Sequence, residues 1–247
     1  PLHGGWLNDL QENGVVVIKD VFSKEEVQEL KDLLWQWLEG FGGGGAGRIS
    51  REDPTTWTMA DQRWPQDNRS TGIVCVRGAG QTRAAWTVRG HPVVQSIFAT
   101  LWDVEPGDLL TSMDGLILWR PWQQKPKEVL ETWKTRGSWL HVDQNVSKRK
   151  ELLAVQGFVN LCVADPSTGG FVCIPGSHVP AFQEQICESL GGAQRLRKQG
   201  DFLALEGDIW QKQAVGISLY PGDILLWDGR LVHGSEPAPG LEGSGQS

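Results

Sequence analysis

Beyond Leu109 the chain breaks into short apolar runs divided by turn signals, and this pattern restricts the fold more than any other feature. The runs from Gly115 to Trp119, Gly137 to His141, Val155 to Val163, Gly170 to Ile174, Gly216 to Leu219 and Asp223 to Trp227 have strand-like length and β-branched or aromatic content. Between them stand breakers such as Asp165-Pro166-Ser167-Thr168-Gly169 and Pro221-Gly222-Asp223. A helical stretch from Pro180 to Leu190 interrupts the series. With 31 glycines and 13 prolines, the chain favours many short strands and turns over a helical bundle.

The upstream half begins with one more strand signal, Gly14 to Asp20, followed by a helix. Ser23 and Glu26 form the S-x-x-E capping pattern, in which each side chain takes up a free backbone N–H of the first turn. Val27, Leu30, Leu34, Trp37 and Leu38 recur at helical spacing, and Gly40 stands where a left-handed cap is expected. Residues 14–40 therefore read as a brace. Phe41 to Gly47 (F-G-G-G-G-A-G) is too glycine-rich for regular structure and lacks the G-K-[ST] ending of a phosphate loop, so a flexible surface loop is expected. Seven arginines lie between Arg48 and Arg89, and His91-Pro92 opens a second helix through Val94, Ile97, Phe98 and Leu101. The span 41–90 reads as loop-rich cover over a site.

Neither an internal repeat nor a linker divides the sequence, so one domain over 1–247 is expected, mostly β with flanking helices (α+β), of jelly-roll type. A chain of 247 residues can bury a substantial core. No run approaches the ~20 apolar residues of a membrane span. The net charge of -7 opposes a nucleic-acid binder that works by blanket phosphate neutralisation. Cys75, Cys162, Cys173 and Cys187 form no C-x-x-C pair, which predicts buried free thiols in a reducing compartment and neither a zinc knuckle nor a disulfide framework. The chain opens at Pro1 without a basic-then-apolar leader or an initiator methionine, which reads as a trimmed or processed start.

Two of the five histidines stand in suggestive surroundings. His141-Val142-Asp143 follows a tryptophan-containing strand signal, and residues i and i+2 of an extended segment project to one side. His233 lies far downstream, in W-D-G-R-L-V-H-G-S, after a strand and turn able to return it to the first pair. Two histidines and one carboxylate form the facial triad of non-haem Fe(II), which leaves coordination positions open for a cosubstrate and dioxygen. An H-x-D tripeptide alone is common by chance, and a lone histidine is more often a packed residue than a ligand.

The order of segments resembles the phytanoyl-CoA dioxygenase family of Fe(II)- and 2-oxoglutarate-dependent oxygenases. Four stretches carry the resemblance: G-V-V-V-I-K-D-V-F-S-K-E-E-V near the N-terminus, H-V-D at 141–143, T-G-G-F-V-C-I-P-G-S-H at 168–178, and P-G-D-I-L-L-W-D-G-R-L-V-H-G-S at 221–235. The resemblance implies a double-stranded β-helix with His141, Asp143 and His233 as iron ligands. It further implies a reaction that consumes 2-oxoglutarate and dioxygen, releases succinate and CO2 and oxidises a C–H bond of a small organic substrate, with ascorbate as accessory reductant. Related halogenases carry glycine or alanine in place of the aspartate, so Asp143 favours oxygen insertion. Ser235 matches a serine that helps hold the 2-oxoglutarate carboxylate, and Arg120-Pro121 matches a basic residue before proline that often faces the cosubstrate.

The family usually places an arginine about ten residues after the distal histidine, where its planar fork binds the far carboxylate of 2-oxoglutarate. Here that stretch reads E-P-A-P-G-L-E-G-S-G-Q-S. Either Arg120 or Arg230 substitutes, or the arginine lies on a strand beyond this sequence. His178 and the Thr168-Gly169-Gly170 turn read equally as structural or functional, Trp139 as core or pocket wall, and Lys148-Arg149-Lys150 as a solvated loop or an anion-attracting rim. Two rivals keep the fold and change the activity. One is a catalytically silent binding or scaffold relative, the other a metal oxygenase that does not use 2-oxoglutarate.

Overall fold

The computed structural model describes residues 5–40, 48–58, 64–65, 71–123 and 132–239. The glycine-rich loop at 41–47, Arg63, Arg69 and the last eight residues lie outside them. In chain order the elements are α1 (Gly5–Asn13), β1 (Val15–Ile18), α2 (Lys24–Glu39), β2 (Ile73–Val74), α3 (Arg83–Gly90), α4 (Pro92–Trp102), β3 (Leu116–Ile117), β4 (His141–Val142), β5 (Val155–Val159), β6 (Gly169–Cys173), α5 (Pro180–Ser189), α6 (Ala193–Leu196), β7 (Leu203–Ala204), α7 (Asp208–Gln211), β8 (Val215–Gly216), β9 (Ile224–Asp228) and β10 (His233–Pro237). Internal contacts gather them into two units, Pro1–Asp20 with Arg136–Ser247, and Val21–Thr135. The architecture is mixed, helices with antiparallel sheets.

The first unit carries two sheets. One has the order β1-β9-β5, the other β7-β4-β10-β6-β8. Strand β6 explains how they stack, because its side chains alternate between two cores. Phe171 and Cys173 join Val15, Leu219, Leu225, Trp227 and Leu231, which unites the inner faces of both sheets. Val172 and Ile174 point the other way and pack with Leu140, Val142, Ile186 and Trp210. Ile186 belongs to α5, so this helix covers the outer face of the five-stranded sheet.

The second unit is built on α2. Its capping box is complete: the Ser23 hydroxyl accepts from Glu26 N at 3.2 Å, and the Glu26 carboxylate accepts from Ser23 N at 2.8 Å. Val27, Leu30, Leu33 and Leu38 form its buried face, so Leu33 takes the place expected of Leu34. Gly40 is right-handed at φ -69° and ψ -14°, not left-handed as its residue type suggested, because its N–H prolongs the helical turn to Gln36 and Trp37. Helix α4 starts at Pro92 as expected and buries Val94, Ile97 and Ala99.

The cysteine expectation holds only in part. All four are free, but Cys75 and Cys162 are exposed, Cys187 is partly covered and Cys173 is buried. Burial holds the Cys173 thiol up at about 12. Among the described residues, no helix is long and apolar enough to cross a membrane.

Candidate metal centre

Register brings the triad together. His233 opens β10 and is the direct antiparallel partner of His141 on β4 and of Cys173 on β6. Directly opposed residues share a face, so both imidazoles point, with Cys173, into the space between the sheets. Asp143 follows β4 immediately, and its backbone N–H donates to Gly229 O at 3.1 Å. Its carboxylate Oδ1 lies 3.6 Å from His141 Nε2, and Oδ2 lies 3.4 Å from His233 Nε2. One ligand atom from each of the three residues falls within 4.8 Å of the others.

The tautomers follow from the neighbours. His141 Nδ1 lies 3.1 Å from Trp139 O, and His233 Nδ1 lies 2.9 Å from Leu231 O. A carbonyl only accepts, so each Nδ1 carries the hydrogen and each neutral ring keeps its Nε2 lone pair for a ligand. Burial lowers the pKa of His233, with the charge of His141 acting in the same direction against the pull of Asp143. Burial would raise the Asp143 pKa, but the two imidazoles, which in their protonated form hydrogen-bond and attract the carboxylate, prevail and hold it well below the usual carboxylate range. Two neutral nitrogens and one carboxylate thus converge on one point, a donor set suited to Fe(II).

Aromatic rings fix the imidazoles. His141 lies between Trp139, stacked at 4.9 Å, and Phe202, stacked at 4.7 Å. His233 stacks on Phe171 at 5.6 Å and touches Trp227 at 5.3 Å. The histidines are buried, whereas the Asp143 side chain keeps 30% of its surface and Phe202 keeps 48%. Access to the centre is therefore on the side of Asp143 and Phe202.

The remaining site candidates fall in different surroundings. Ser235 shares the inner face of β10 with His233, and its hydroxyl lies 3.1 Å from Trp139 Nε1. Arg230 is committed to Asp228, with Nε and Nη2 donating to the two carboxylate oxygens at 2.9 and 2.6 Å. Arg120 belongs to the second unit, where Nη1 donates to Trp57 O at 2.9 Å and Nη2 to Thr132 O at 2.7 Å. Its guanidinium also sits over the rings of Trp64 and Trp133, and burial pulls its pKa down to about 10, still far above neutrality. The His178 ring is buried, and its Nε2 donates to Gln11 O at 3.0 Å. Lys148, Arg149 and Lys150 are exposed or nearly so, and Lys148 pairs with Asp201 at 3.5 Å.

Two residues at the centre escaped the sequence reading. Gln156 on β5 donates its amide to Asp143 Oδ2 at 2.7 Å, and Phe202 covers His141. A strand pattern marks Gln156 only as polar, and the residue it meets is set by how two sheets stack.

The model of the family described as Phytanoyl-CoA dioxygenase (PhyH) matches residues 131–239, a span that includes the whole triad. Over 242 residues the chain is 29% identical to Ava biosynthesis cluster protein O of Aspergillus versicolor, covering 94% of this chain and 72% of that protein. Among solved structures it is similar to AviO1 from Streptomyces viridochromogenes, with a TM-score of 0.55 and 14% identity, over 97% of this chain and 90% of that one. It is also similar to SnoK, a non-heme alpha ketoglutarate dependent carbocyclase from nogalamycin biosynthesis, with a TM-score of 0.50 and 17% identity, over 96% and 78% of the two chains.

Proposed function

We propose that the chain is a member of the phytanoyl-CoA dioxygenase family and an Fe(II)- and 2-oxoglutarate-dependent dioxygenase, a reading supported by the family match over the residues that hold the triad. It oxidises a C–H bond of a small organic molecule and releases succinate and CO2. The observation that carries the reading is the convergence of His141 Nε2, His233 Nε2 and the Asp143 carboxylate, with each Nδ1 locked as a donor. Iron held by these three residues, with 2-oxoglutarate beside it, supplies the oxidising power drawn from dioxygen.

The protein's own residues bind, orient and exclude water. Trp139, Phe202, Phe171 and Trp227 wall the two imidazoles, so ligand geometry depends on packing as well as on hydrogen bonds. Ser235 is the cosubstrate contact that the geometry supports best. An indole N–H only donates, so the serine oxygen is the acceptor from Trp139 and its own hydrogen remains for a carboxylate. Arg120 and Arg230 are engaged by backbone carbonyls and by Asp228, which favours a structural task for both. We read the two stacked antiparallel sheets as the double-stranded β-helix of the family. Asp143 supplies a carboxylate at the position that halogenases leave to chloride, which favours oxygen insertion.

The test is anaerobic addition of Fe(II) and 2-oxoglutarate, with ascorbate to keep the iron reduced. A visible metal-to-ligand charge-transfer band is expected in the wild-type chain and not in His141→Ala. A wild-type chain without the band, or an undiminished band in His141→Ala, overturns the reading. Succinate formed on admission of oxygen, above a metal-free control, separates a catalyst from a silent metal-binding relative.

A further inference from the structure

We infer that Gln156 is a positioning residue which gives the two oxygens of Asp143 different tasks, holding Oδ2 on its amide so that the carboxylate meets the metal through Oδ1 alone. The inference rests on the reading of the triad as an iron centre and extends it to a residue outside the triad. A carboxylate accepts and cannot donate, so the Gln156 atom at 2.7 Å from Oδ2 is the amide nitrogen. A hydrogen bond to an ionised acceptor is among the stronger kinds.

The backbone makes this contact deliberate in a physical sense. Gln156 is the direct antiparallel partner of Trp227 in the β5–β9 pair, so their side chains share the face turned to the second sheet. Trp227 lies 5.3 Å from the ring of His233, while Gln156 bonds Asp143. Two residues further along β5, on that same face, Phe158 packs against Trp227 and Phe171. The three-stranded sheet thus sets one neighbour against each of two triad residues, and their spacing is fixed by strand register.

The coordination count gives the contact its value. A carboxylate binds a metal through one oxygen or chelates through both. With two imidazoles, chelation would fill four of six octahedral positions. Two would remain, both consumed by a cosubstrate that itself chelates. Single-oxygen binding leaves three, enough for the cosubstrate and one further small ligand. By keeping Oδ2 on an amide, Gln156 preserves the third position.

The test uses Co(II) as probe on the full chain, with binding followed by calorimetry and by visible d–d absorption. Gln156→Met keeps length and volume but cannot donate, and Gln156→Asn keeps the amide while withdrawing it by one methylene. Both are expected to weaken Co(II) binding roughly 10- to 100-fold, the usual effect of removing an outer partner of a metal ligand. The Co(II) spectrum is expected to change shape, which a loss of general stability would not produce, while metal-free thermal unfolding is expected to fall only by the few degrees that the loss of one hydrogen bond costs. Wild-type affinity and spectrum in both variants, with binding still abolished in His141→Ala, would overturn this inference and leave the iron centre standing. A wild-type chain that binds no Co(II) overturns both.

Discussion

Trp139 donates its indole N–H to the hydroxyl of Ser235 at 3.1 Å, while the ring of Trp139 lies stacked on His141 at 4.9 Å. One side chain therefore steadies a metal-ligand candidate and orients the cosubstrate candidate. Removal of the hydroxyl should be felt in 2-oxoglutarate binding and little in metal binding. For Ser235→Ala the expected loss is ~1.5–3 kcal/mol, the range for a hydrogen bond to a charged group, or roughly ten- to a hundred-fold in Kd. Titration of 2-oxoglutarate into the anaerobic Fe(II) protein checks this. Unchanged affinity would remove Ser235 from the site.

The folded chain holds the three donors together, so a bound ion stabilises it by mass action. With free metal about 100-fold above Kd, the gain is about 2.7 kcal/mol. For a chain of this length that raises Tm by roughly 5–10 °C. The shift should vanish with a chelator and be absent from His233→Ala, as read by calorimetry with and without metal.

Arg120 is expected to matter for stability more than for the cosubstrate. Arg120→Met removes the guanidinium hydrogen bonds to Trp57 O and Thr132 O, at about 0.5–1.5 kcal/mol for each. Urea unfolding should detect the loss, and 2-oxoglutarate affinity measured well below the transition should stay near wild type. A tenfold fall in that affinity with stability preserved would return Arg120 to the cosubstrate.

The thiols should separate by exposure and burial. With Cys173 held up at about 12, about one thiol in ten thousand is ionised at pH 8, and the side chain is also covered. Exposed Cys75 and Cys162 should alkylate first in a timed mass-spectrometric experiment, Cys187 more slowly, and Cys173 only after unfolding. Rapid labelling of Cys173 in the folded chain would contradict its position between the sheets.

What the sequence disclosed was local chemistry with strong grammar. The Ser23–Glu26 capping box, strand β1, the helix beginning at Pro180 and the H-V-D with its distal histidine could all be read from residue type and spacing. Helix α1 could not, because only Trp6 and Leu10 are buried along it and its amphipathic signal is short. Strand β10 reads H-G-S-E-P, which has little strand propensity, and it forms through pairing with β6 and β4. The segment before His141 was expected to be a strand, yet β4 begins at His141. Ser138 adopts φ 55°, and a Cβ on Gly137 would collide with the Glu236 carboxylate. Gln156 remained hidden for a different reason, since its partner is chosen by sheet stacking and leaves no mark on its neighbours in the chain.

The pairing of His141 with His233 also bears on how the chain holds itself closed. The two positions are about ninety residues apart, and a link between them constrains a long loop of the unfolded chain. An ion held by both, with Asp143, acts as a reversible staple across β4 and β10, comparable in topology to a disulfide but undone by a chelator instead of a reductant. Loss of metal would then loosen the middle of the five-stranded sheet first, so hydrogen exchange on β4 and β10 is where an emptied site would announce itself.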